Sequence, residues 1–456
     1  MSRPASVHSV GEKAEAKDTL AEPAPASVPW FRSTYTQAVV TGIASFLAPG
    51  MYAACAATGA GGLADVKIGN ASVAVAFALI VPSALAATGY APYAAALYTN
   101  SAFGNQWFLI LGAVICGLTS GIFWVTEGTI IMVYSEPARK GRLVAIWQSL
   151  FNLATLVGGA INLALNVDIA KPGGLRPKTY LVFVGLSSCA PLFSLLLSNP
   201  RQVKRADGRP VPALPSEGFF KEVWLTLLEL RHPRVLAAAF LWSHSLFVPS
   251  FFNFSVRVRG MSSIVQPVLS IIWHQANGQY LLDSNIRLRK KLVIAWSVIQ
   301  GKCFPSVIAV CVIWVMVDLV YIKNHPEATV VYDWETRRWA VWWFPAVLGS
   351  AAAWVSYGYN YYMAAYIIPK NSDGVRMSRI IATLRSAESG SAAVGFGIGS
   401  LQLAMYKLGI INIFFLAVVL VLGTWLHIWI WRADEKGTFG YVEDWAEARE
   451  AAREEK

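Results

Sequence analysis

The sequence predicts an all-helical integral membrane protein built as two helical bundles, and three observations carry that prediction. Mean hydropathy is +0.47, with 55% apolar and only 14% charged residues, a balance that fits a polytopic bundle and excludes an ordinary soluble domain. Apolar runs long enough to cross a hydrocarbon core of about 30 Å recur along the chain. They lie near 35–58, 69–100, 107–134, 143–166, 179–198, 235–255, 263–282, 292–320, 339–367, 388–407 and 409–431. Lys and Arg gather in alternate loops: those near 139–142, 200–234, 283–291 and 368–385 hold eighteen, and those near 167–178, 256–262 and 321–338 hold eight. This bias places the first group in the cytosol. It also accounts for the net charge of +11 through topology and anionic lipid, without nucleic acid.

The elements follow in order. Residues 1–34 are rich in Ala, Pro, Ser and mixed charge, with no apolar core of a secretory signal, and are expected to form a disordered cytosolic tail. Residues 35–199 are expected to form the first bundle, 200–234 a basic cytosolic linker, 235–431 the second bundle and 432–456 a charged cytosolic tail. In all, 11 or 12 transmembrane helices are expected. The run 69–100 is too short for two full crossings of about 20 residues each. Pro82, Gly89 and Pro92 interrupt it, so the second and third helices are shortened or merged. Arg139-Lys140-Gly141-Arg142 leads into an apolar stretch on which Gln148, Asn152, Thr155, Gly159, Asn162 and Asn166 recur every three or four residues. One helical face therefore carries them all, and that face must meet other helices or a watery cavity. The five Cys lie in or beside apolar runs with no CxxC spacing, which reads as small core residues rather than disulfides or a metal site.

Several blocks carry a family resemblance. YTQAVV (Tyr35 to Val40), Pro49 to Met51 and Gly59 to Gly62, with Arg139 to Arg142, Phe151 and Asn152, resemble the fungal branch of the Unc-ninety-three-like family. Asp333-Trp334 and Ser389 to Phe396 continue the likeness. That family belongs to the major facilitator superfamily, so the resemblance implies a two-bundle fold of inverted repeats around a central site. It implies a transporter-like membrane protein and names no substrate, because the family includes regulatory channel subunits and trafficking factors. One departure stands out: no charged residue occurs between Lys67 and Glu127, where the superfamily places a charged loop joining helices two and three. The corresponding loop of the second half, with Asp283, Arg287, Arg289, Lys290 and Lys291, resembles the superfamily's cytosolic clasp, which holds helix ends by ion pairing.

Candidate site residues follow from the cost of burying charge in a membrane. Glu127 is the only acid within the first six apolar runs, and proton coupling or substrate contact competes there with a neutral structural carboxyl. Glu388 poses the same question, with a position near a helix N-terminus as its plainer explanation. Gln148, Asn152 and Asn162 are candidates for substrate contact. Tyr357, Asn360 and Tyr361 suit a pocket for a flat organic molecule or, equally, tight packing. Two sequons, at Asn70 and Asn253, are formal glycosylation matches beside apolar spans. There is no phosphate loop, nucleophile elbow or HExxH, so neither an enzyme, a cofactor nor a metal centre is expected. The expected partners are the lipid bilayer and a small-molecule substrate moved by alternating access. The alternative is a non-transporting protein that regulates or escorts another membrane protein.

Overall fold

The computed structural model describes residues 28–57, 72, 87–136, 139–171, 173–205, 211, 218–247, 254–284, 286–325, 331–336, 339–367, 374–401 and 403–435. The sequon asparagines Asn70 and Asn253 lie outside them, as do both tails apart from residues 28–34 and 432–435. The first half contains α1 (Thr34–Ala57), α2 (Tyr90–Phe103), α3 (Trp107–Tyr134), α4 (Lys140–Asn166), α5 (Pro177–Ser188) and the short α6 (Ala190–Ser194). A linker helix α7 (Phe219–Leu228) follows. The second half contains α8 (Pro233–Leu246), α9 (Val256–Ala276), α10 (Leu288–Ile322), α11 (Trp339–Ala364), α12 (Gly374–Ser400) and α13 (Met405–Glu435). Five of these helical stretches, α1, α3, α4, α10 and most of α13, are long and apolar enough by themselves to cross a membrane. Outward-facing Leu192, Phe344, Phe414 and Val421 are exposed on the helices, as lipid contact requires.

The two halves meet along α4 and α9, and close approach depends on small residues. A Cβ added to Gly159 would lie 2.6 Å from the Ser263 carbonyl oxygen, and one on Gly278 would lie 2.6 Å from the Ala145 Cβ. A second seam joins α3 to α12, where Thr129 and Ser378 hydroxyls stand 3.2 Å apart. A Cβ on Gly128 there would come within 3.0 Å of Ile381.

Arg139, Arg142, Lys290 and Arg379 mark one end of the molecule, the basic end. The start of α1 belongs to it, since the Thr34 N–H donates to the Lys204 carbonyl at 3.3 Å and the Lys204 N–H to that of Arg32 at 3.0 Å. Linker helix α7 is fastened there too: Arg379 donates to Glu222 at 2.8 Å and Arg376 to Glu229 at 3.1 Å.

Helix α2 departs from an ordinary membrane helix. Its 14 residues span about 21 Å, short of a hydrocarbon core. Preceding it, Gly89 packs against Cys116 and Thr119, midway along α3. At the other end Gly104, at φ +71°, closes α2 by donating to the Asn100 carbonyl at 2.9 Å. The Ser72 hydroxyl lies 3.1 Å from that of Tyr93.

Three expectations need correction. Arg385, assigned to a basic loop, lies inside α12 with 3% exposure. Arg257 and Arg259, assigned to the opposite loop, belong to the first turn of α9 and are buried. Without them the loop bias becomes seventeen against six, still in the same direction. Glu388 does not sit near a helix N-terminus: α12 begins at Gly374, fourteen residues earlier, so the helix dipole does not explain it.

Candidate functional site between the two halves

Arg385 occupies the centre of a buried charge cluster built from both halves. On α12 the spacing of three residues brings its guanidinium and Glu388 to one face, and Nη1 donates to Glu388 Oε2 at 2.6 Å. From α3, Glu127 Oε1 stands 3.7 Å from Arg385 Nη2. The other Glu127 oxygen accepts from Trp147 Nε1 of α4 at 3.4 Å and from the Ser45 hydroxyl of α1. Arg385 also donates to the Tyr357 hydroxyl, lies 3.9 Å above the Trp124 ring and 5.6 Å from that of Tyr361. Such aromatic faces stabilise a desolvated guanidinium. Burial is nearly complete, with Glu127 at 1% and Glu388 at 0% exposure.

The electrostatic consequence follows from counting. Two carboxyls face one guanidinium, so with both ionised the cluster would hold an uncompensated negative charge in a low-dielectric interior, at several kcal/mol. One oxygen of each carboxyl, Glu127 Oε1 and Glu388 Oε1, accepts no hydrogen bond among the described residues. A single proton held by the pair would remove the excess charge.

Above this cluster lies a cavity of about 240 Å³. Arg385 and Trp124 form its floor, Phe151 and Trp354 its sides, and Ala57, Phe254 and Phe396 the part farthest from the basic end. Pro49 also lines it, within a π-helical turn that interrupts α1 at Phe46–Gly50. Polar contacts come from Ser245, Ser262, Ser263, Gln266, Ser350 and Ser389, and the second charged side chain is Arg259.

Toward the basic end the halves are closed. Asp283 accepts from the Gly141 and Arg142 N–H groups at 2.7 and 2.8 Å, capping the N-terminus of α4 from the other half. Burial pushes the Asp283 carboxyl up, and those two N–H groups with the Arg142 and Lys291 charges offset part of that shift. Gln275 donates to the Ser149 hydroxyl at 2.8 Å. Lys140 and Arg205 donate to the last carbonyls of α3, Met132 and Val133, at 3.0 and 2.9 Å. At the opposite end Arg257 binds Asp333 through both nitrogen and oxygen pairs, with Nε to Oδ1 at 2.7 Å, and reaches Glu335 at 2.9 Å. Burial raises the Asp333 carboxyl, but hydrogen bonds from Arg257, Ser255 and the Glu335 N–H outweigh it and hold it below the usual Asp range.

The structure brings Glu127, Glu388, Tyr357 and Tyr361 together around Arg385. It places the α4 stripe elsewhere: none of Gln148, Asn152 or Asn162 lines the cavity. Asn152 donates to the Gln148 carbonyl at 2.8 Å, and Asn166 bridges the Asn162 carbonyl and the Thr179 hydroxyl, each at 2.9 Å. Gln148 packs where Gly358 makes room beside it and His274. Asn360 donates to the Leu241 carbonyl at 3.4 Å, beside a separate cavity of about 20 Å³. Of the predicted clasp, Asp283 acts as a helix cap, Arg289 stacks 4.9 Å over Trp431, and Arg287 and Lys290 are exposed. The residue that sequence reasoning missed is Arg385. Its signal was the Arg-x-x-Glu spacing with Glu388 at the margin of an apolar run.

This arrangement is the fold of the major facilitator type. The xylose–proton symporter XylE, a member of that superfamily, superposes with a TM-score of 0.52 over 88% of this chain and 95% of its own, at 12% identity. Residues 70–261 match the family model described as "Ion channel regulatory protein UNC-93". The chain is 28% identical over 423 residues to Notoamide biosynthesis cluster protein O' of Aspergillus versicolor, covering 88% of this chain and 90% of that one. It is 22% identical to an UNC93-like protein of Schizosaccharomyces pombe, covering 82% and 78% respectively. The chain is thus similar to UNC-93-like proteins, has a transporter-like fold and is an integral multi-pass membrane protein.

Proposed function

We propose that this protein moves a small organic molecule across the membrane by alternating access, with the Glu127–Arg385–Glu388 cluster coupling movement to a proton. The observation that carries this reading is the position of the cavity: it lies between the halves, away from the basic end, and its floor is the cluster that bridges them. With the basic end taken as cytosolic by its Lys and Arg bias, the closed Asp283 and Gln275 contacts correspond to an outward-facing state. Rocking of the halves about the α4–α9 and α3–α12 seams would release those contacts and expose the cavity floor to the cytosol. Glu127 belongs to one half and Arg385 to the other. Protonation of Glu127 removes its charge attraction across the seam and so favours separation, whereas Glu388 stays with Arg385 on α12.

Reconstitution into vesicles tests this. Glu127→Gln should abolish uptake driven by an imposed pH gradient and preserve exchange of labelled for unlabelled substrate, which needs no net proton release. Gradient-driven uptake at the wild-type rate in the variant would reject proton coupling through Glu127.

A second reading has its own support. At 14 residues, α2 is too short for a complete crossing of the first half. A non-transporting subunit that holds another membrane protein tolerates that loss better than a carrier does. Loss of a partner from the membrane on deletion of this protein, with no uptake under any gradient, would favour it.

A further inference from the structure

We infer that linker helix α7 lies in the lipid leaflet at the basic end, apolar strip outward, and anchors α12 to the bilayer surface. The helix has two faces of opposite character. At about 100° per residue, Glu222 and Thr226 fall on one side of it, and Glu229 follows in the next turn. That side is fastened to α12: Arg379 donates to Glu222 at 2.8 Å, the Thr383 hydroxyl to the Thr226 carbonyl at 2.8 Å and Arg376 to Glu229 at 3.1 Å. Val223, Trp224 and Leu227 gather on the far side and are exposed, Trp224 at 59% and Leu227 at 52%. Large apolar side chains on one strip of a helix are costly in water, and such a strip belongs in an interface.

Two observations identify that interface as lipid. First, α7 runs beside α12 and not past its end: Thr383 is nine residues into α12, about 13 Å along its axis from Gly374. Second, the strip is continuous with the lipid-facing surface of the next helix. Helix α8 begins at Pro233, five residues after α7 ends, and runs along α12 as far as Ser391, whose hydroxyl donates to the Ser243 carbonyl at 2.7 Å. Leu236 and Phe240 of α8 are exposed on its outer face, as Val223, Trp224 and Leu227 are on α7. An indole ring such as that of Trp224 favours the level of the headgroups. Arg231, exposed one turn beyond Leu227, is placed to reach them. Because α12 also carries Arg385 and Glu388, the anchor acts on the helix that holds the buried cation. A carrier and an escort would use it alike.

Spin labels on the full-length protein, in a background lacking the five native Cys, test this in nanodiscs of phosphatidylcholine and phosphatidylserine. Val223→Cys, Trp224→Cys and Leu227→Cys sample the strip, Leu236→Cys marks lipid and Arg201→Cys marks water. Power saturation compares collisions with oxygen, which concentrates in hydrocarbon, and with a water-soluble nickel chelate. Labels on the strip should favour oxygen over the chelate by about threefold or more relative to Arg201→Cys, as Leu236→Cys does. The three positions are read separately, so one variant that fails to fold leaves the other two to decide. The nanodisc holds no other protein, so strip labels that match Arg201→Cys would overturn the inference and leave a second protein as the occupant of this face. Anchoring is read at Val223→Cys after adding Trp224→Ser and Leu227→Ser together, which should lower its oxygen preference by about twofold or more. An unchanged preference would mean that α12 alone holds α7 in place, and the anchor would be refuted.

Discussion

Glu127 Oε1 and Arg385 Nη2 stand 3.7 Å apart across the seam between the two halves, each on a helix of a different bundle and each almost fully buried. The distance is longer than a hydrogen bond, whereas the pair within α12, Arg385 and Glu388, is at 2.6 Å. The cation is thus held firmly by its own helix and loosely by the other half. A connection of that kind constrains the halves without fusing them.

Removal of the cation tests how much of the fold depends on it. Arg385→Met should leave two buried carboxyls without a counter-charge, at a cost on the order of 3–5 kcal/mol, read as a large fall in thermal unfolding temperature in detergent. Adding Glu388→Gln to Arg385→Met should restore part of that loss, since the two residues act as one unit. An unfolding temperature for Arg385→Met equal to the unaltered protein would mean that water already solvates the cluster.

How much of this was legible in the sequence differs by residue. Glu127 and Glu388 could be found because a carboxyl inside an apolar run is rare and costly. Arg385 could not: it closes the basic loop 368–385, just ahead of its apolar run, and hydropathy along a chain does not say where the helix began. Periodicity put Gln148, Asn152 and Asn162 on one face correctly, as their common burial on α4 shows. It could not say what that face meets, which depends on where α9 and α11 pack. The acid and bases of the predicted clasp suggested ion pairs, yet Asp283 binds two backbone N–H groups instead. Charge content reveals a partner's sign, not whether the partner is a side chain or a helix end.

The Asp283 cap gives a second expected outcome. Asp283→Ala should cost about 0.5–2 kcal/mol and shift the population toward a state open at the basic end. Ser149→Cys, which replaces the acceptor of the Gln275 bond, should then react faster with a thiol reagent than the same Cys in the Asp283 background. Asp283→Asn, which keeps a capping oxygen, should change that rate little. Unchanged reactivity in Asp283→Ala would show that the cap does not hold this end closed.

The Arg257–Asp333 pair at the opposite end predicts a pH response of known sign. Because the Asp333 carboxyl is held below the ordinary Asp value of about 3.9, its contribution is complete above that value. It is lost as pH falls through the lower folded value. Stability in detergent should therefore drop on acidification below about pH 4, and Asp333→Asn should flatten that part of the profile while lowering stability at neutral pH. An acid limb of the same size in Asp333→Asn would assign the response to other carboxyls.

Sidedness supplies the last expected outcome, because the contacts already relate the start of α1 to the linker. The Thr34 and Lys204 backbones pair at the basic end, so Trp30, 75% exposed, and Arg201 share one side of the membrane. Phe103, 73% exposed at the end of α2, lies on the other side, because α2 leads away from the middle of α3 toward its start. In a background lacking the five native Cys, Trp30→Cys and Arg201→Cys should resist an impermeant maleimide in intact cells and react once the membrane is permeabilised. Phe103→Cys should react in both. The first part of that outcome follows from the basic-loop bias and the second from the fold, so they fail separately. Trp30→Cys and Phe103→Cys reacting alike would break the described order of α1 to α3. All three patterns inverted together would keep the fold and reverse the protein in its membrane.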